Sequence, residues 1–222
     1  MNKNIKIEDN FLPQETFTRI QDIFLQGIQN QNENTFIPWK YRDVIDEKND
    51  VDKFQFIHSF YSNSSHEQSQ HANILNPIFE LLQPISIFKI KANLLTRTPE
   101  IVENKLHVDI SFLSEEQQKQ WTTSIFYINT NNGYTKFEDG TKVNSVANRM
   151  ISFPANMKHT GTSCTDEQTR VVINFNYYEL QWLLQSFSSQ HLSVITSEVN
   201  QQFLYTEHSH ETLEGIVCGV FC

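Results

Sequence analysis

Apolar residues recur at helical spacing near the start of the chain. Phe17, Ile20, Ile23, Phe24 and Ile28 predict an amphipathic helix within residues 7–28. The turn-forming Asn10-Phe-Leu-Pro13 leads into it, with Pro13 suited to a helix's first position. Residues 29–53 are polar around the small island Phe36-Ile-Pro-Trp39 and are expected to form a loop and a short strand. Phe54–Tyr61 is aromatic and partly alternating, the pattern of a strand. A second helical run, Ile74, Leu75, Ile78, Phe79 and Leu82, predicts a helix over about 72–83 that Pro84 ends. Ser86–Arg97 then alternates. Phe88, Ile90, Ala92 and Leu94 fall on one face and Lys89, Lys91 and Asn93 on the other, as in a half-buried strand.

Beyond the loop at 98–105 the pattern is β alone. Leu106–Ser111, Thr122–Asn129, Tyr134–Phe137, Lys142–Val146, Arg149–Phe153 and Thr169–Tyr178 are expected strands. Asn131-Asn-Gly133 and Glu138-Asp-Gly140 read as turns between them. Short strands at intervals of roughly 8–12 residues point to a sandwich or barrel. The fold class is therefore α+β, a jelly-roll core with the N-terminal helices packed on one sheet. The expected division is a helical and strand support over residues 1–84, a core over 85–180, and a tail of unknown role over 181–222. Leu180, Leu183, Leu184 and Phe187 fit a short helix near the start of that tail. His208, His210, Cys218 and Cys222 add possible ligands there.

Composition narrows the function classes. A chain of 222 residues supports one domain with a substantial core. No apolar run approaches the roughly 18 residues of a membrane span, and Met1-Asn-Lys-Asn-Ile-Lys lacks the apolar core of a secretory signal. A cytoplasmic protein is the default expectation. A net charge of −9, with the charges dispersed, argues against a broad phosphate-binding surface, so nucleic acid is not an expected partner. Three cysteines do not make a disulfide framework.

Candidate chemistry lies in the β half. His107-Val-Asp109 places a histidine and an aspartate two residues apart on an extended segment, hence on one face. A chain of this composition supplies roughly 0.3 such pairs by chance, so the pair alone carries little. Its weight comes from His159, several strands later, and from Arg170 beyond it on a strand where it points inward with Val172 and Asn174. Two histidines and one carboxylate leave about half of a metal's coordination positions open, the ligand set of non-haem Fe(II) oxygenases. Arg170 suits a dicarboxylate co-substrate. Outside this set, His58 reads as a hydrogen-bonded strand histidine, and His66 and His71 as solvated loop residues.

The wording of the strands adds a resemblance. His107-Val-Asp109, Ser124-Ile-Phe-Tyr-Ile-Asn129, Asn132-Gly-Tyr-Thr-Lys-Phe-Glu-Asp-Gly140, Asn148-Arg-Met-Ile-Ser-Phe153, His159-Thr-Gly161 and Arg170-Val-Val-Ile-Asn174 resemble the Fe(II)/2-oxoglutarate-dependent oxygenases of the prolyl-hydroxylase-like group. The likeness is greatest to uncharacterised members encoded by marine cyanobacterial phages. It covers most of residues 10–180 and implies a double-stranded β-helix (jelly-roll, cupin-like) with iron at its open end. His107, Asp109 and His159 would be the metal ligands. Arg170 would bind the distal carboxylate of 2-oxoglutarate, with Tyr127 on the same carboxylate and Asn93 and Asn174 as weaker candidates for the pocket wall. O2 would be the second co-substrate and ascorbate the reductant. The implied reaction hydroxylates a peptidyl proline, an amino acid or another small molecule, with decarboxylation of 2-oxoglutarate to succinate and CO2. A carboxylate ligand at Asp109 points to hydroxylation rather than halogenation. Ile110–Trp121 matches no signature and names no substrate. Two other classes stand beside this one: a zinc or other divalent-metal cupin acting as a hydrolase or isomerase, and a non-catalytic ligand-binding jelly roll.

Overall fold

Alternation splits the longest strand into two faces with different work. Along Thr169–Glu179, Val171, Ile173, Phe175 and Tyr177 are buried in an apolar cluster. Arg170, Val172, Asn174 and Asn176 take the opposite side. The same division runs through the neighbouring strands and places the site.

The computed structural model describes residues 4–25, 37–45, 53–64 and 67–179. In chain order the elements are β1 (Lys6–Glu8), α1 (Gln14–Leu25), β2 (Lys40–Arg42), β3 (Gln55–Ser62), β4 (Glu67–Gln68), α2 (Asn76–Leu82), β5 (Pro84–Thr96), α3 (Glu115–Gln118), β6 (Trp121–Tyr127), β7 (Tyr134–Phe137), β8 (Lys142–Asn144), β9 (Arg149–Pro154), β10 (His159–Gly161) and β11 (Thr169–Glu179). An eight-stranded sheet has the order β1-β9-β6-β11-β5-β3-β2, with β4 on β3, and a three-stranded sheet has the order β10-β7-β8. The registered pairs are antiparallel. Few helices and two antiparallel sheets are consistent with a jelly roll.

The outer face of the large sheet is apolar. Phe17, Ile20 and Phe24 from α1, Leu75 and Ile78 from the α2 region, and Phe126, Ile173 and Phe175 from the sheet form one cluster. The Phe17 ring meets Phe126 edge-on at 5.9 Å between centroids. Burying each such side chain contributes about 1.5–3 kcal/mol. The inner face packs on the small sheet through Ile125, Tyr127, Ile151, Phe153 and Val172 against Phe137 and Val143. β5 therefore shares one sheet with β2 and β3, strands that precede residue 84.

Several local expectations change. The first helix starts at Gln14, and residues 6–8, expected within it, form β1 on β9 instead. Three residues that pair with a strand over 140 positions away leave no local period to read. Pro13 stands just before the helix, where its carbonyl accepts from Phe17 N–H at 2.9 Å. The second helix opens as a 3-10 turn over Ala72–Leu75, and Pro77 lies in the first turn of the α-helical part. Gln83 caps it in the left-handed region at φ 47°. Phe88 does not join the outer cluster. Ile87 takes that place, and Phe88 packs on Phe112 and Trp121. His71 is buried beside His58 rather than solvated. Ile28, His66 and everything expected over 180–222 fall outside the described residues.

Candidate functional site

A two-residue bridge joins the distant histidines. His107 N–H donates to His159 C=O and His159 N–H donates to His107 C=O, each at 3.0 Å. Directly opposed antiparallel residues send their side chains to one face, so the imidazoles lie together at 5.0 Å between ring centroids. The segment around His107 is thus not the strand expected over 106–111. It is an extended loop pinned at Glu103–Thr162 and at His107–His159. Each ring is oriented in the same way. His107 Nδ1 bonds Lys105 C=O and His159 Nδ1 bonds Met157 C=O, both at 3.1 Å. With Nδ1 tied to the backbone, Nε2 is the nitrogen left to a ligand. Phe153 and Phe137 wall His159, with ring centroids at 4.9 and 6.2 Å.

Asp109 completes the group. Its Oδ1 lies 3.6 Å from His107 Nε2, and the three ligand atoms of His107, Asp109 and His159 all fall within 4.8 Å of one another. Asp109 Oδ2 accepts from Asn176 Nδ2 at 2.9 Å, and the same nitrogen reaches Thr123 Oγ1 at 3.0 Å. Burial pushes the Asp109 carboxyl upward. The hydrogen bond with His107, the charges of His159 and His107, and the Asn176 amide more than offset this, and the net shift is downward. Burial shifts His159 downward, toward the neutral imidazole that coordinates metals.

Deeper in the barrel lies Arg170, 3% exposed. Its Nε donates to Ser145 Oγ at 2.8 Å, and one terminal nitrogen reaches Thr135 Oγ1 at 3.4 Å. Among the described residues no carboxylate pairs with it. A buried cation without a counter-charge is costly, and an anionic ligand relieves that cost. The space is made by glycine. A Cβ on Gly133 would stand 2.8 Å from Arg170 Cδ and 2.7 Å from Ser163 C=O, and one on Gly161 would stand 3.2 Å from an Arg170 terminal nitrogen. Gly133 was expected as a turn residue, yet among the described residues the glycine with positive φ is Gly140. Gly133 is required by close approach to the arginine.

Tyr127 is fully buried beside this group, its hydroxyl donating to Thr135 Oγ1 at 2.7 Å, with the Arg170 guanidinium 5.7 Å from its ring centre. Asn174 lies on the same strand face between Arg170 and Asn176, and its Oδ1 is buried without a hydrogen-bond partner. Asn93 lies on β5 opposite Ile57. The structure thus brings His107, Asp109 and His159 into one cluster. It places Arg170, Tyr127 and Asn174 on the interior of the same barrel. Asn176, Thr135 and Ser145 were not singled out from sequence. The strand alternation that picked out Asn174 also reaches Asn176 two residues on, so that signal was present.

No family model matches the chain, and no curated protein is similar to it. Solved structures are. A 2OG-Fe(II) oxygenase family oxidoreductase from Burkholderia pseudomallei aligns over 80% of this chain and 86% of its own, at TM-score 0.54 and 8% identity. The non-haem α-ketoglutarate-dependent carbocyclase SnoK of nogalamycin biosynthesis aligns over 79% and 80%, at TM-score 0.52 and 10% identity. The epimerase SnoN of the same biosynthesis aligns over 79% and 78%, at TM-score 0.50 and 11% identity. The chain has the fold of the 2OG-Fe(II) oxygenases. Within that fold its His–Asp–His cluster is a candidate metal centre. Among the described residues no helix is long and apolar enough to cross a membrane.

Proposed function

We propose that the protein is an Fe(II)- and 2-oxoglutarate-dependent dioxygenase that hydroxylates a peptidyl proline, an amino acid or another small molecule in the cytoplasm. That cytoplasm would be a host's if the chain is phage-encoded, as the sequence resemblance implies. The observation that carries the reading is the buried Arg170 guanidinium, which has no acid against it among the described residues and lies on the same face of β11 as Asn176, the residue that holds Asp109. The donor set fits the group. Two imidazoles with Nδ1 tied to backbone and one carboxylate suit a divalent iron, and leave positions for a chelating co-substrate and O2.

In this reading His107 and His159 bind through Nε2 and Asp109 through a carboxylate oxygen. Arg170 holds the distal carboxylate of 2-oxoglutarate, with the fork geometry of a guanidinium matching both oxygens. The Tyr127 hydroxyl turns from Thr135 to the same carboxylate. Asn174 lines the wall, and a flip of its carboxamide presents Nδ2 to an anion. When bound, the iron and co-substrate supply the oxidising chemistry. Asn176 keeps Asp109 ionised and aimed, and Phe137 and Phe153 keep water from the His159 side.

Anaerobic addition of Fe(II) and 2-oxoglutarate is expected to give a weak visible charge-transfer band that His107→Ala lacks. Absence of the band from the intact protein, with tight retention of zinc, would overturn the reading in favour of a divalent-metal hydrolase or isomerase. With ascorbate present, slow turnover of 2-oxoglutarate to succinate is expected without a prime substrate. Arg170→Ala is expected to raise the co-substrate concentration this needs by about tenfold or more. Unchanged co-substrate affinity in that variant would remove Arg170 from its assigned role.

A further inference from the structure

The inner face of the large sheet carries a second set of side chains that metal and co-substrate binding leave unused. Trp121 precedes Thr123 by two residues on β6, and Thr123 shares the Asn176 amide with Asp109. Tyr178 follows Asn176 by two residues on β11. Both therefore face the same side as the Asp109 anchor. They pack on each other at 5.8 Å between centroids, Trp121 meets Phe88 at 6.2 Å, and Phe88 meets Phe112 at 5.2 Å. Phe112 stands three residues after Asp109 and, among the described residues, is 68% exposed, with Phe88 against it. Its loop is held firmly, because Gln118 Nε2 donates to Ile110 C=O at 3.0 Å and Leu113 C=O at 2.9 Å. The result is a fixed aromatic shelf that begins where the metal cluster ends.

Lys91 follows Phe88 by three residues on β5. Ile90 and Ala92 point into the outer cluster, so Lys91 on β5 points inward. Among the described residues no carboxylate forms an ion pair with it. Its surroundings are cationic as well as acidic. Burial, then Lys89 and Arg42, push its ammonium down to about 8, while Asp109 acts in the opposite sense. A metal on Asp109 would neutralise the acid that acts on it. A half-buried cation in that setting calls for an anion from outside the chain.

We infer that Lys91 and the Phe88–Phe112–Trp121–Tyr178 shelf form the prime-substrate subsite, and that the substrate carries one anionic group, a carboxylate or a phosphate, next to an aromatic or apolar body. Lys91 sets specificity by engaging the anion, and the shelf stacks the body so that a C–H bond faces the metal. The inference rests on the oxygenase reading for the identity of the neighbouring centre.

The test uses the full chain loaded anaerobically with Fe(II) and 2-oxoglutarate, with phenylacetate, benzyl phosphate and neutral phenylacetamide as probes in calorimetric titrations. At least one acid is expected to bind about tenfold or more tightly than the amide. Lys91→Met is expected to erase that preference and Lys91→Arg to keep it, with the co-substrate band unchanged in both. The tighter of the two acids identifies the anion. Equal binding of acids and amide, no measurable binding of either acid, or a preference that survives Lys91→Met would overturn the inference. So would a weakened co-substrate band in Lys91→Met, because it would move the lysine to the co-substrate. If the intact protein gives no band but prefers the acids in a Lys91-dependent way, the anion subsite stands and the oxygenase reading fails.

Discussion

The two faces of the large sheet are made by the same strands and held by different physics. On the outer face, Phe126, Ile173, Phe175 and their helical partners need only shape and area. On the inner face, buried polar groups need particular partners: Asn176 for Asp109, Thr135 and Ser145 for Arg170, and across from them a backbone carbonyl orients each imidazole. The outer face should therefore carry more of the stability and the inner face more of the ligand affinity. Area burial tolerates repacking, whereas a buried charge responds to the loss of one hydrogen bond.

The largest expected effect breaks the outer face. Phe126→Ala should cost about 3–5 kcal/mol in denaturant melts, with metal affinity of the molecules that stay folded unchanged. A parallel fall in metal affinity would show that the faces are not separable. Next comes Asn176→Ala, expected to weaken metal binding about 10–100-fold in competition titrations while costing less stability than Phe126→Ala. Gly133→Ala tests the seam between the faces. Its new methyl group meets Arg170 and a carbonyl, so about 1–3 kcal/mol of stability and part of the 2-oxoglutarate affinity should go together.

Lys91→Met sharpens the comparison in the opposite direction. The folded ammonium titrates near 8 and the unfolded one near 10.5. Between these values the unfolded chain holds a proton that the folded chain has lost, so stability should rise with pH across that window. Below about 8 the full cost of the buried charge is present. Lys91→Met should therefore raise stability at pH 7, on the order of 2 kcal/mol, and the gain should shrink toward pH 10.5. A melt series over pH 7–10.5 reads this directly, and a loss of stability at pH 7 would contradict it.

Much of the candidate site was legible because side-chain spacing is local, although the segment with His107 and Asp109 is an extended loop rather than the expected strand. His107 and Asp109 were picked out by spacing, and Arg170 and Asn174 by their shared strand face. The same rule put Lys89, Lys91 and Asn93 opposite Ile90, Ala92 and Leu94, and it failed at Phe88, whose place in the outer cluster passes to Ile87. The rule assumes an unbroken pleat, and the change of face between Ile87 and Ile90 breaks it. β1 was not legible, since Lys6–Glu8 is a strand only by virtue of β9. Gly133 was read for its dihedral freedom, whereas what matters there is the arginine packed against it.

The sequence by itself determined which residues are candidates for the chemistry, because side-chain type and the two-residue period are properties of adjacent positions. Only the tertiary structure decided which of them meet. The bridge between His107 and His159, the Asn176 amide on Asp109, and, among the described residues, the lack of an ion-pairing acid on Arg170 and Lys91 all depend on register between distant strands. Register is set by how the whole sheet buries its two faces, and no short stretch of sequence holds that information.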